Sequence, residues 1–243
     1  MRRKRRSKAG TFVMILVALA LTAFILFRQV FIVRTVEING SRSIPDETLI
    51  RTARIELGSS IFAVDAEQMR RGVNALGTIA LDGVEVRYPS TVILNVRERT
   101  QRAMLLHQGE IRLLDVECCL VDSVDSVPNT DLIYVNGMTV MSIARGEQLQ
   151  AAKGQVEAYC SIMQAIDENA AYMYVSEINL SDVSNLQLIT RTGITVELGD
   201  DTNMMNKIAF ARSAVADLEQ RNEGGGILDV RGGNKADYSR PGT

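Results

Sequence analysis

Few side chains in this 243-residue chain are of the kinds that do chemistry, and their spacing argues against each site they could build. The one histidine, His107, stands beside Gln108-Gly109 and reads as an exposed turn residue. A Ser/His/Asp site needs its nucleophile on a sharp strained turn, and no G-x-S-x-G is present. Cys118, Cys119 and Cys160 are an odd set that cannot close into a disulfide framework, and they are a poor ligand set for zinc. Adjacent cysteines lie ~3.8 Å apart, whereas a disulfide wants its Cα atoms at ~5.5 Å. Cys160 could bridge to one of the pair in an exported domain; the commoner fate of such thiols is burial as small apolar side chains. Gly224-Gly225-Gly226 lacks a following Gly-Lys-Ser/Thr, so it reads as a flexible break and not a phosphate loop. Asp122, Asp125 and Asp131 cluster without EF-hand spacing and read as acidic surface. The expectation is a protein without catalytic residues, cofactor, metal or small-molecule substrate.

The chain is organised instead around Thr11–Phe27, seventeen residues without a charge, between Lys8 and Arg28. With Ala9 and Gly10 the run would span about 28 Å as a helix, close to a bilayer's ~30 Å core. It is apolar all round, where a soluble core helix would keep a polar stripe. The preceding MRRKRRSK carries six positive charges and no negative ones, which predicts a cytoplasmic N-terminus and export of everything after Arg28. A cleaved signal peptide is the competing reading, because Ala18-Leu19-Ala20 resembles a cleavage site. More apolar chain, Leu21–Phe27, follows that triplet, and this favours an uncleaved anchor.

Beyond the anchor the balance of charge reverses. Seven of the 27 basic residues lie at or before Arg28, so the remaining 20 face all 29 acidic residues and 31–243 carries −9. An acidic body argues against nucleic acid or anionic headgroups as its main partner.

Residues 31–99 read as strand, helix, helix, strand, strand. Thr35–Asn39 alternates as a half-buried strand. Ser43, Pro45, Asp46 and Glu47 signal a helix start, Leu49, Ala53 and Leu57 give its buried stripe, and Gly58 its stop. Asp65 and Gln68 form a capping-box pattern before Met69, Val73 and Leu76. Val84–Arg87, the turn Tyr88-Pro89-Ser90 and the alternating Val92, Leu94 and Val96 complete the pattern, with Thr78-Ile79-Ala80 read as the connection ahead of it.

From Ala103 the chain reads as a second mixed unit. Hairpins are expected around Gln108-Gly109 and Thr192-Gly193, with short strands at Cys118–Val121, Leu132–Val135 and Val175–Leu180. One helix runs from Gln155 to Asn169 with Val156, Cys160, Met163 and Ile166 inward. Another follows Asp200-Asp201-Thr202 with Met204, Ile208, Ala211, Val215 and Leu218 inward. Ile227–Arg231 is the closing strand, reached through the triple glycine and followed by a polar tail, which places it near the edge of a sheet.

The fragments FIVRTVEINGS, IPDETLI, G-x-x-x-F-A-V-D and VEVRYPSTVILNVRER, in that order directly after one N-terminal anchor, resemble the POTRA domain of the FtsQ/DivIB family of bacterial division proteins. SEINLSD, NLQL, T-x-x-G-ITVELG and ILDVR resemble that family's β domain. The resemblance implies an α+β protein: a basic cytoplasmic tail (1–10), a transmembrane helix (11–30), a βααββ POTRA domain (31–99), a mainly antiparallel β domain (100–232) and a C-terminal tail (233–243). It implies a non-enzymatic scaffold at the division septum of the cell membrane that binds FtsB/DivIC-like and FtsL-like proteins and links them to septal peptidoglycan synthesis. A POTRA-bearing transport or chaperone component is the alternative; the sequence holds no barrel's worth of ~10-residue amphipathic strands. The family's partner contact is built by strand addition at the C-terminal end, which points here to Leu228, Val230, Arg231, Lys235 and Tyr238. Arg231 and Lys235 would suit acidic partner residues and Tyr238 would serve as an aromatic anchor. The bland alternative for Ile227–Val230 is that it completes the core.

Overall fold

The computed structural model describes residues 8–128 and 131–240; the basic tail before Lys8 and the last three residues lie outside the described residues. The first element, α1 (Lys8–Val30), is long and apolar enough to cross a membrane, and its apolar window from Phe12 to Val30 is not buried by the rest of the chain. The chain divides into two compact units, the first holding α1 and continuing to Val73 and then Ala80–Glu98, the second holding Asn74–Ile79 and everything from Arg99.

In the first unit α1 is followed by β1 (Thr35–Asn39), α2 (Asp46–Thr52), α3 (Ala66–Asn74), β2 (Ile79–Arg87) and β3 (Thr91–Glu98). The three strands form one sheet in the order β1-β3-β2, with β1 parallel to β3 from Thr35↔Thr91 to Asn39↔Asn95. Leu49 of α2, Met69 and Val73 of α3, and Val92, Leu94 and Val96 of β3 are buried. Asp65 caps α3 as its sequence pattern implied, its Oδ1 accepting the backbone N–H groups of Glu67 and Gln68, both at 3.1 Å.

Three details depart from the sequence reading. Ser43 does not cap α2; its N–H and hydroxyl, with the N–H of Arg42, donate to the Glu98 carboxylate at 2.7 to 2.9 Å. Helix α2 ends early, at Thr52, so Leu57 is 64% exposed, and Gly58 instead donates its N–H to Val33 O at 2.8 Å. Ile79 and Ala80 are buried strand residues of β2 and not part of a loop. At Ser43 and Gly58 a partner distant in sequence takes the hydrogen bond, whereas at Ile79-Ala80 the reading of a connection is corrected to strand.

The second unit contains β4 (Ala103–His107), β5 (Glu110–Leu114), β6 (Leu120–Val124), β7 (Ile133–Asn136), the small pair β8 (Val140–Ser142) and β9 (Gln150–Ala151), α4 (Gln155–Glu168), β10 (Val175–Asn179), β11 (Leu186–Thr190), β12 (Thr195–Gly199), α5 (Met204–Gln220), β13 (Ile227–Asp229) and β14 (Asp237–Ser239). Nine strands make one sheet in the order β14-β13-β12-β11-β10-β7-β4-β5-β6. Its pairs are mostly antiparallel; β4 with β7, β7 with β10, and β12 with β13 run parallel. Gln108 and Gly109 both adopt positive φ, 53° and 82°, as a two-residue hairpin turn needs.

Strand side chains alternate as a sheet covered on one face requires. Ala103, Leu105, Leu186, Leu188, Val196 and Leu198 join α4 and α5 in one apolar cluster, and Leu106 on the opposite face stays exposed. The α5 stripe is buried at every expected position. On α4 the buried face instead centres on Tyr159, Ile162, Met163 and Ile166, leaving Val156 and Cys160 half-buried.

Candidate functional site: the C-terminal sheet edge

The sequence placed Ile227–Arg231 near the sheet's edge; the strand at the edge is β14, within the expected tail. β13 lies between β12, to which it is parallel, and β14, to which it is antiparallel, in the register Ile227↔Ser239, Leu228↔Tyr238 and Asp229↔Asp237. This corrects two proposed contact residues. Leu228 and Val230 are fully buried and belong to the core that α5 covers, so their side chains are not offered to a partner.

The triple glycine is not a loose linker. Gly225 donates its N–H to Thr192 O at 3.0 Å, and Gly226 O accepts from Thr195 N–H at 3.0 Å. Gly226 has φ +79°, and a side chain there would run into Ser239 O and the Tyr238 ring. Glycine is needed because β14 crosses at van der Waals distance. The Tyr238 hydroxyl closes the arrangement by donating to Gly225 O at 3.1 Å.

The other three expected residues are at the surface. Arg231 donates from Nε to Asp229 Oδ1 at 3.0 Å and lies 3.3 Å from Glu197. Its hydrogen bond and charge hold the Asp229 carboxyl below the usual carboxylate range. Lys235 pairs with Asp237 at 2.6 Å. Both cations therefore already have acidic neighbours, and an acidic partner would have to exchange with them. Tyr238 is half-buried, one wall of an open groove of about 440 Å³ between α5 and the β13–β14 hairpin. Ala214, Leu218, Arg221, Ala236 and Arg240 also line it, with Arg240 3.0 Å from Glu223. Sequence reasoning missed these residues. The available signal was Gly232-Gly233 between two short segments, with Gly233 at φ +66°, a hairpin hidden by its brevity.

Lys207 is buried on the first turn of α5. Its Nζ donates to Asp200 O at 2.9 Å and Oδ1 at 3.0 Å, tying α5 to the end of β12. The Asp200-Asp201-Thr202 segment caps itself and not the helix, whose N-cap is Asn203. Hydrogen bonds from Thr202 and then Lys207 hold the Asp200 carboxyl down at about 2.

One cluster elsewhere in the second unit has the composition of a metal site, namely Asp115, Glu117 and Cys119. A cation is already there: Arg99 Nη1 lies 2.6 Å from Asp115 Oδ2 and 4.0 Å from Glu117, with the Arg99 and Asp115 side chains 4% and 2% exposed. Burial, then the Asp115 charge, pushes the Cys119 thiol up, so it stays protonated and is a poor ligand. Asp115 Oδ1 also accepts the N–H groups of Glu117 and Cys119 at 2.9 and 2.8 Å, and Tyr159 donates its hydroxyl to Asp115 O at 2.7 Å. The cluster is a structural knot. His107 lies at the β4–β5 turn, opposite Glu110.

A βααββ unit stands directly behind one helix long and apolar enough to cross a membrane, and a mixed sheet ending in a short edge strand follows it. Residues 31–99 match the family model described as POTRA domain, FtsQ-type. The chain is 21% identical over 194 residues to a cell division protein DivIB of Clostridium tetani, covering 78% of this chain and 72% of that one. It is 20% identical over 230 residues to the DivIB of Clostridium botulinum, covering 94% and 89%. A cell division protein FtsQ of Syntrophotalea carbinolica is 22% identical over 174 residues, covering 70% and 61%. Residues 31–99 are thus similar to an FtsQ-type POTRA domain, and over most of its length the chain is similar to cell division proteins named DivIB and FtsQ.

Proposed function

We propose that this chain is a non-enzymatic scaffold of the division septum, held by α1 in the cell membrane, with its N-terminus in the cytoplasm and both folded units outside. The relatives' names support a division role, and the apolar helix fits a membrane anchor. Five positive charges before α1 and a sixth, Lys8, at its first residue support the orientation. Its partners in this reading are FtsB/DivIC-like and FtsL-like proteins, through which it is linked to septal peptidoglycan synthesis.

The observation that carries the reading is the edge strand β14, which among the described residues has no strand beyond it in the sheet and is flanked by a groove against α5. A partner strand would add to β14 through backbone hydrogen bonds, and its side chains would enter the groove beside Tyr238. Arg231 and Lys235 at the rim would set register by exchanging their intramolecular acids for the partner's.

The test is binding of the partner ectodomains to the full chain carrying Asp237→Pro, Tyr238→Pro or a stop after Gly233. Neighbouring residues of a strand point their N–H groups to opposite edges, so one proline blocks the outer edge and the other unpairs β14 from β13. All three variants are expected to weaken binding by more than tenfold, roughly 1.4 kcal/mol. Wild-type affinity in both proline variants would rule out addition at this edge. Reporter fusions after Arg99 and at the C-terminus are expected to report an exterior location.

A further inference from the structure

Where α1 meets the first unit, four aromatic rings from three separate stretches of chain gather. Phe27 closes the apolar run of α1, and Phe31 follows one turn later, its ring 4.4 Å from that of Phe27 and its N–H bonded to Phe27 O. Phe62 stacks on Phe27 at 5.9 Å and lies 5.4 Å from Phe31. Tyr88 is 5.7 Å from Phe62 and 6.2 Å from Phe31. These are four of the chain's six phenylalanines and six tyrosines.

The backbone around them is fixed. Phe62 sits on the helical turn Ile61–Ala63, whose Ile61 is buried and donates its N–H to Phe31 O at 3.1 Å. Tyr88 sits in the β2–β3 turn. Yet Phe62 is 56% and Tyr88 59% exposed, and Phe31 is half-buried. A rigid support under exposed rings suits a surface that meets something apolar on one side and wet on the other.

The position along α1 says what that is. From Thr11 to Phe27 the helix rises about 25 Å, most of a hydrocarbon core, so Phe27 stands at its boundary. Phe31 and Phe62, with rings within 6 Å of Phe27, and Tyr88, 5.7 Å from Phe62, lie near the depth where aromatic residues are enriched in membrane proteins, and Arg28 stands in the last turn of α1. We propose that Phe31, Phe62 and Tyr88 seat the POTRA domain on the lipid–water interface, so that it is held against the bilayer instead of swinging on a tether. This rests on α1 being a membrane anchor and is independent of the partner edge.

The chain has no tryptophan, so Phe62→Trp and Tyr88→Trp each place a single fluorophore in the cluster, and Phe24→Trp places one inside α1. Each full-length variant is reconstituted into phosphatidylcholine nanodiscs, with and without lipid brominated near the top of the acyl chain. The expected result is blue-shifted emission and severalfold bromine quenching at both cluster positions. Solvent-like, unquenched emission there with quenching at position 24 would overturn the docking and leave the anchor standing. Blue-shifted but unquenched emission would mean that protein covers the rings, which also overturns it. No quenching at any position would overturn anchor and docking together.

Discussion

Replacing Arg99 by Met tests whether the Arg99–Asp115 knot secures the second unit. The two side chains are 4% and 2% exposed, so losing the guanidinium leaves a carboxylate with almost no access to water. Breaking one half of a buried pair costs about 3–5 kcal/mol. Asp115 keeps two backbone N–H donors on Oδ1, from Glu117 and Cys119, so the lower end applies, about 3 kcal/mol. For a unit of this size that is a fall of about 6–12 °C in Tm. Adding Asp115→Asn to Arg99→Met removes the stranded charge while keeping an oxygen for the two N–H groups, and is expected to recover about 1–2 kcal/mol. The assay is hydrogen exchange of α4 and β5 peptides in the full chain as temperature rises, which reads the second unit alone. A loss below about 2 °C for the single variant would refute the reasoning, because the pair would then contribute no more than a surface salt bridge. Equal losses in single and double variants would show that the stranded charge is not the cause.

Two further outcomes follow from ionisable groups. Burial pushes the Cys118 thiol far up and the Cys160 thiol to about 11, so neither is expected to react with iodoacetamide at pH 8 until the chain unfolds. Ala at positions 118, 119 and 160 is expected to leave partner binding intact, and loss of binding in a folded variant would give the thiols a role. Asp200 is lowered from 3.8 to about 2, first by the Thr202 hydroxyl and then by Lys207. A depressed carboxylate stabilises above its unfolded value and loses that stabilisation as pH falls through its folded value. The deficit of Asp200→Asn in urea unfolding should therefore be present at neutral pH and shrink between pH 4 and 2; a constant deficit would refute the assignment.

The sequence by itself determined what depends on local pattern. Thr11–Phe27 could only be a helix apolar on every side, because no polar stripe interrupts it. The Gln108-Gly109 turn, the Asp65 cap and the α5 stripe were legible because a turn, a cap and a periodicity each need only neighbouring residues. The candidate site was legible as a region and not as a surface. Alternation in Ile227–Arg231 marks a strand, but the same alternation is produced by an edge strand and by the strand beside it. Pairing with Asp237–Ser239 decided which, and it turned Leu228 and Val230 inward while leaving Tyr238 at the groove. The triple glycine reads as flexibility from composition; only the approach of Ser239 and Tyr238 explains why Gly226 must lack a side chain. Arg99, Asp115 and Lys207 look like solvated charges in sequence, since burial and partners more than a few residues away leave no local trace. The gathering of Phe27, Phe31, Phe62 and Tyr88 arises the same way: three stretches, each unremarkable, meet because the end of α1, the Ile61–Ala63 turn and the β2–β3 turn converge.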